Sequence, residues 1–115
     1  MAEADVSPVK LFAFVKRRET MSREEFLDYW HNSHGPLIRD EPELRRHLIG
    51  YEQHPAREGD RSGWDGVAVQ TFASWDDFIA MLSGPAAEIM RNDEAKFLDT
   101  SSTKVVFTGP PVRVV

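Results

Sequence analysis

The sequence predicts an α+β domain of element order β-α-β-β-α-β, two helical segments covering one face of a four-stranded antiparallel sheet. Three observations predict it. The apolar pattern switches between strand-like and helix-like period several times along the 115 residues. Ser22 and Ser74 each stand before a helical stretch with an acid three positions on, Glu25 and Asp77, where a capping serine and its partner belong. The strand-like runs are separated by clusters of Gly, Pro and charged residues that end elements. By length, residues 1–115 form a single domain, large enough to bury one core without disulfide or metal staples.

Residues 1–8 are read as a flexible N-terminus. Residues 9–16 (VKLFAFVK) carry apolar side chains on both alternating sets, Leu11, Ala13 and Val15 on one and Phe12 and Phe14 on the other, as a strand buried on two faces does. A helix then starts at Ser22, whose hydroxyl can accept from the Glu25 amide while the Glu25 carboxylate reaches back. Phe26, Tyr29, Trp30 and Ser33 share one face of it, and Gly35-Pro36 is expected to end it. Residues 41–46 have room for another turn or two of helix, with Pro42 in its first turn. Residues 47–54 (HLIGYEQH) read as the second strand, in which Gly50 permits a bulge.

Residues 56–63 (AREGDRSG) are charged and rich in turn formers, so they form an exposed loop. Residues 65–73 (DGVAVQTFA) are the third strand. Ser74 caps the next helix, whose stripe is Phe78, Met81 and Leu82; Gly84-Pro85 interrupts it, and residues 86–98 resume with Ile89, Met90 and Phe97 inward. Residues 103–108 (TKVVFT) are the fourth strand, followed by a C-terminal tail at 110–115. This order is the split unit of the ferredoxin-like fold. Because helices cover only one sheet face while the strands are apolar on both, the second face is expected to meet the same face of another copy. The expected assembly is a homodimer forming a dimeric α/β barrel.

Composition narrows the function. The 14 basic and 19 acidic residues give a net charge of −5, which opposes binding to nucleic acid or anionic membranes. Cysteine is absent, which excludes disulfides, thiolate chemistry and Cys-based zinc sites. The acidic N-terminal stretch lacks the basic and apolar segments of a secretory signal, and no apolar run is long enough to span a bilayer. The expected location is cytoplasmic. No Ser-His-Asp order, phosphate-binding loop or dinucleotide glycine pattern is present.

Four stretches carry a resemblance: MSREEFLDYWHNSHGPL, ELRRHLIGYEQHP, DGVAVQTFASWDDF and NDEAKFLDTSSTKVVFTGPP. Together they resemble the EthD family of the dimeric α/β-barrel superfamily. The resemblance implies the ferredoxin-like fold, a pocket for a small organic ligand, and association with degradation of small molecules or steps on aromatic polyketides. Relatives in the wider superfamily include cofactor-free oxygenases, lactone isomerases and haem-binding enzymes.

The candidate residues follow. His34 falls on the family's His-x-Pro position, which implies a pocket-forming, catalytic role; the competing reading is a helix C-cap, worth ~0.3–1 kcal/mol. His31 is either a ligand contact or a solvated residue, and Trp30 either core, through its i,i+4 relation to Phe26, or pocket lining. Tyr51 and His54 make a Tyr-x-x-His arrangement similar to the family's pattern: Tyr51 is either a ligand contact or an amphipathic core residue with its hydroxyl hydrogen-bonded, and His54 either a second proton carrier or an exposed strand end. Strand alternation puts Tyr51 with Gln53 on one face and Glu52 with His54 on the other. Phe12 and Phe14 are further candidate ligand contacts. In the family's Asp-Glu-x-x-Phe-x-Asp run, Phe97 reads as core and Asp93 as an orienting carboxylate. His47, between arginines and the strand, reads as solvated.

His31 and His34 alone are too few for a metal site, so no metal is expected, and no cofactor; haem held by His34 is the alternative. The function expected is a cofactor-independent enzyme acting on a small aromatic, polyketide-like or cyclic substrate by His-assisted proton transfer or oxidation. The alternative is a non-catalytic small-ligand-binding accessory protein of a degradation or biosynthesis pathway.

Overall fold

Alternation in the first strand decides how the molecule is layered. In the computed structural model, which describes residues 7–115, β1 (Val9–Val15) is central, and the sheet runs in the order β2 (Gly50–Pro55), β3 (Gly66–Phe72), β1, β4 (Lys104–Thr108). All three pairings are antiparallel. Residues 1–6 of the expected flexible N-terminus lie outside the described residues. Leu11, Ala13 and Val15 of β1 share one face with Ala68 and Phe72 of β3, and these side chains join the buried core under the helices. Phe12 and Phe14 occupy the other face, opposite Val69 and Val67 of β3, with Val106 of β4 opposite Phe12. Among the described residues no helix covers this second face, and Val106 is 52 % exposed there.

The helical layer begins as the capping pattern predicts. Ser22 accepts from the Glu25 amide and the Glu25 carboxylate accepts from the Ser22 amide, starting α1 (Arg23–Tyr29). The expected stop at Gly35-Pro36 is corrected by the structure. The chain widens into a π-helical turn over Trp30–His34, then continues as α2 (Gly35–Asp40). The Gly35 amide bonds to the Trp30 carbonyl five residues back, and Pro36, second in α2, is accommodated directly after this widened turn. His34 is therefore an interior helical residue and not a C-cap.

α3 (Pro42–Arg45) is a single turn capped by Glu41, which accepts from the Glu43 amide. The second strand begins at Gly50, three residues later than predicted, and His47 is buried instead of solvated because the turn after α3 folds it inward. Ser74 caps α4 (Trp75–Ser83) by accepting from Asp77, and α5 (Pro85–Glu94) follows after Gly84. Phe78 and Met81 are buried as expected, whereas Leu82 faces out. Phe97, fully buried beyond α5, is the hub of an aromatic cluster with ring centroids 5.9 Å from Phe26, 5.0 Å from Tyr29 and 4.8 Å from His34.

Candidate active site

The π-helical turn sets the directions of the side chains that matter. Trp30 turns into the core, its ring centroid 5.2 Å from Phe26. Its indole lies so close to β3 that a Cβ on Gly66 would stand 2.8 Å from two of its ring carbons and 2.8 Å from the His54 carbonyl. Only glycine fits beneath it. His34, 4 % exposed, also turns inward. His31 turns outward, its Nδ1 2.7 Å from Gln53 Oε1.

Gln53 ties the turn to the sheet. Its Nε2 donates to the Trp30 carbonyl at 2.7 Å and to the Tyr51 hydroxyl at 3.2 Å, so the His31, Gln53 and Tyr51 side chains form one chain of hydrogen bonds. Since that hydroxyl accepts from Gln53, its own hydrogen stays free to donate. Burial pushes the Tyr51 phenol up to about 12, against the hydrogen bond from Gln53, so it remains a donor at neutral pH.

Behind this chain lies a second one. His34 Nδ1 is 2.6 Å from Asp93 Oδ2, and the Tyr29 hydroxyl donates to Asp93 Oδ1, also at 2.6 Å. Burial alone would raise the Asp93 carboxyl, but the hydrogen bonds from Tyr29 and His34 outweigh it and hold the group below its ordinary range. Burial lowers His34 despite the opposing pull of Asp93, so the imidazole is neutral at pH 7. A carboxylate accepts the Nδ1–H, which leaves the lone pair on Nε2. No described residue hydrogen-bonds Nε2. Glu94, beside Asp93, is pushed up to about 7 by burial and by the Asp93 charge, against Arg91.

A cavity of about 460 Å³ opens between α2, α3 and the β2 edge. His31, Tyr51 and Gln53 give it a polar side and Ile38, Leu48 and Ile49 an apolar one, while Arg39 and Arg45 supply positive charge. His34 adjoins it through Tyr51, the ring centroids 6.2 Å apart in an edge-on contact. The His34 ring is buried against Phe97 and does not itself form a wall of the cavity. Among the described residues no three His, Asp or Glu side chains converge to hold a metal ion, and no helix is long and apolar enough to cross a membrane.

The predicted site residues thus fall on two sides of the sheet. Trp30, His31, His34 and Tyr51 meet on the helix side. His54, 3.1 Å from Glu52, lies with Phe12 and Phe14 on the uncovered face, the division that strand alternation gives. Sequence reasoning missed Tyr29, Glu94, Arg39 and Arg45. Of these, Tyr29 carried a signal in its shared helix face with Phe26 and Trp30, and Glu94 in its place beside Asp93, as did Gln53 in its place on the Tyr51 face; the two arginines carried none.

Fold and site together define a class: a small ferredoxin-like α+β domain with a buried imidazole–carboxylate pair beside a ligand-sized cavity. The EthD domain model matches residues 18–101, most of the chain, and the protein belongs to the EthD family. No curated protein matches it by sequence. Among solved structures it is similar to an ethyl tert-butyl ether d (EthD) family protein from Bacillus halodurans, at 16% identity and TM-score 0.67 over 88% of this chain and 96% of that one. A hydroxynitrile lyase from Passiflora edulis matches at 16% identity and TM-score 0.70 over 96% and 99%. A dimeric ferredoxin-like protein of unknown function from Bacteroides fragilis matches at 20% identity and TM-score 0.66 over 89% and 95%. These likenesses establish the fold.

Proposed function

We propose that the protein is a cofactor-independent acid–base catalyst acting on a small aromatic, polyketide-like or cyclic carbonyl compound, with His34 as the proton carrier. The single observation that carries this reading is the Asp93–His34 hydrogen bond beside the cavity, which leaves a neutral imidazole with its Nε2 lone pair free. A ligand seated against Tyr51 gives up an acidic C–H proton to Nε2 through one intervening water. The C–H electron pair becomes the enolate C=C bond, the carbonyl π pair moves onto oxygen, and the Tyr51 hydroxyl donates to that oxygen. His31 and Gln53 hold the ligand's polar edge, and Trp30 supports the turn from below.

The acting unit is a homodimer. Phe12, Phe14, Val67, Val69 and Val106 form an apolar face that no helix covers, and a structural neighbour is described as dimeric. Light scattering at micromolar concentration should give about twice 13.1 kDa. In that assembly His54, Phe12 and Phe14 serve the interface.

The test is deuterium incorporation from D₂O into the acetyl methyl group of 4-acetylbenzamide and into α-tetralone, followed by NMR. Wild type and His31→Asn should exchange above the buffer rate, and His34→Asn should not. Exchange that survives in His34→Asn and stops in His31→Asn would assign the chemistry to the cavity-wall imidazole.

One observation favours a second reading, a non-catalytic ligand-binding accessory protein: His34 stands behind Tyr51 and not on the cavity wall. That reading predicts binding of both ketones with exchange at the buffer rate.

A further inference from the structure

The cavity is charged in a way that the rest of the chain is not. The protein carries −5 overall, yet no carboxylate lines the cavity, and its two formally charged side chains are both arginines. The two differ. Arg39 is held in a two-point ion pair by its neighbour, with Nε 2.8 Å from Asp40 Oδ1 and Nη2 2.7 Å from Oδ2, so its charge is largely answered. Arg45 pairs with no described carboxylate. One of its Nη1 hydrogens goes to the Leu48 carbonyl, which fixes the guanidinium at the cavity and leaves further N–H donors unspent. Beside it stands Ile49, 60 % exposed, with Leu48 behind it, buried in the core and reaching the cavity only at its edge.

A fixed, unpaired guanidinium next to an apolar wall in a cavity of about 460 Å³ matches one ligand chemistry: an organic anion with a flat apolar body. We infer that the cavity selects aromatic or alicyclic carboxylates, the carboxylate bound by Arg45, the ring against Ile49, and the opposite polar end at Tyr51 and Gln53. This rests on the reading of the cavity as the ligand site and names the substrate class for it. The two ends of such a ligand have different work. Arg45 holds the acid group in place, and the far end presents its carbonyl to the Tyr51 hydroxyl.

The experiment compares 4-acetylbenzoate with 4-acetylbenzamide, which share shape and ketone and differ in charge, by calorimetric titration of the full-length protein. Wild type should bind the benzoate at least tenfold more tightly. Arg45→Gln should bring the two affinities together by weakening the benzoate alone, and Arg45→Glu should reverse the order. Because Arg45 is exposed, both variants should melt as wild type does, and retained amide binding shows that the cavity is intact. Equal affinities in wild type, or an unchanged preference in Arg45→Gln, overturns the anion selectivity and leaves the cavity reading standing. Failure of wild type to bind either probe overturns both.

Discussion

His34 and Asp93 are 59 residues apart in sequence and 2.6 Å apart in the fold, joined Nδ1 to Oδ2. The π-helical turn aims the imidazole inward, and the last turn of α5 brings the carboxylate to meet it. Tyr29 occupies the other carboxylate oxygen, so the pair is fixed from both sides. Each prediction below follows from this buried relationship or from what surrounds it.

Asp93→Ala leaves the His34 ring N–H without an acceptor in the interior, whereas the partly exposed Tyr29 hydroxyl can turn to water. At about 1–3 kcal/mol for one orphaned buried donor, the loss should be about 1–3 kcal/mol in urea denaturation. A double-mutant cycle with His34→Ala should return a coupling of about 1–3 kcal/mol. Additive losses would show that the contact carries no energy.

The pH dependence of His34 has a definite sign. Its folded pKa lies below the ordinary 6.5 through burial, so the unfolded chain protonates first as the solution is acidified. Stability is fully present above about pH 6.5 and falls as pH drops from there toward the folded pKa. His34→Asn should remove that slope relative to wild type. The other three histidines are common to both chains and cancel in the difference.

Glu94 contributes the opposite slope. Its carboxyl is raised from 4.5 to about 7, so the folded chain holds a proton that the unfolded chain releases. Stability from this group is complete below pH 4.5 and declines as pH rises to about 7. Glu94→Gln should therefore be more stable than wild type at pH 8, by roughly 1–3 kcal/mol, with the advantage vanishing below pH 4.5. Equal stability at pH 8 would mean that the Glu94 carboxylate is freely solvated.

Gly66→Ala tests the floor of the site. With Trp30 ring carbons and a strand carbonyl each 2.8 Å from the new methyl, neither neighbour can yield without moving the turn. A loss of about 1–3 kcal/mol is expected, with shifts in the Trp30 indole resonances. An unperturbed indole would show that Trp30 does not rest on β3.

The layers of the fold were legible because local chemistry and global packing agree in them. The Ser22 and Ser74 caps work as written, and the two apolar sets of β1 sort onto the two sheet faces. Alternation likewise placed Tyr51 and Gln53 apart from Glu52 and His54. The π-helical turn was not legible. Gly-Pro is an ordinary helix stop, and no residue in WHNSH announces a five-residue bond to come. Missing that turn misplaced His34 at a helix end, and it hid the two arginines, which sit on separate short helices and meet only across the cavity. The burial of His47 was hidden for a separate reason: the strand expected to start there begins three residues on, and the turn after α3 takes His47 inward.

Asp93 holds His34 as a neutral imidazole with its proton on Nδ1 and a free lone pair on Nε2, and the proposed chemistry depends on that tautomer. Long-range ¹H–¹⁵N correlation of uniformly labelled protein at pH 7, with His34→Asn to assign the ring, reads this directly. The expected spectrum shows a protonated Nδ1 and an unprotonated Nε2 for His34, with the Nε2 resonance shifting when 4-acetylbenzoate is added. A proton on Nε2 with Nδ1 bare, or an imidazolium protonated on both nitrogens at that pH, would contradict it.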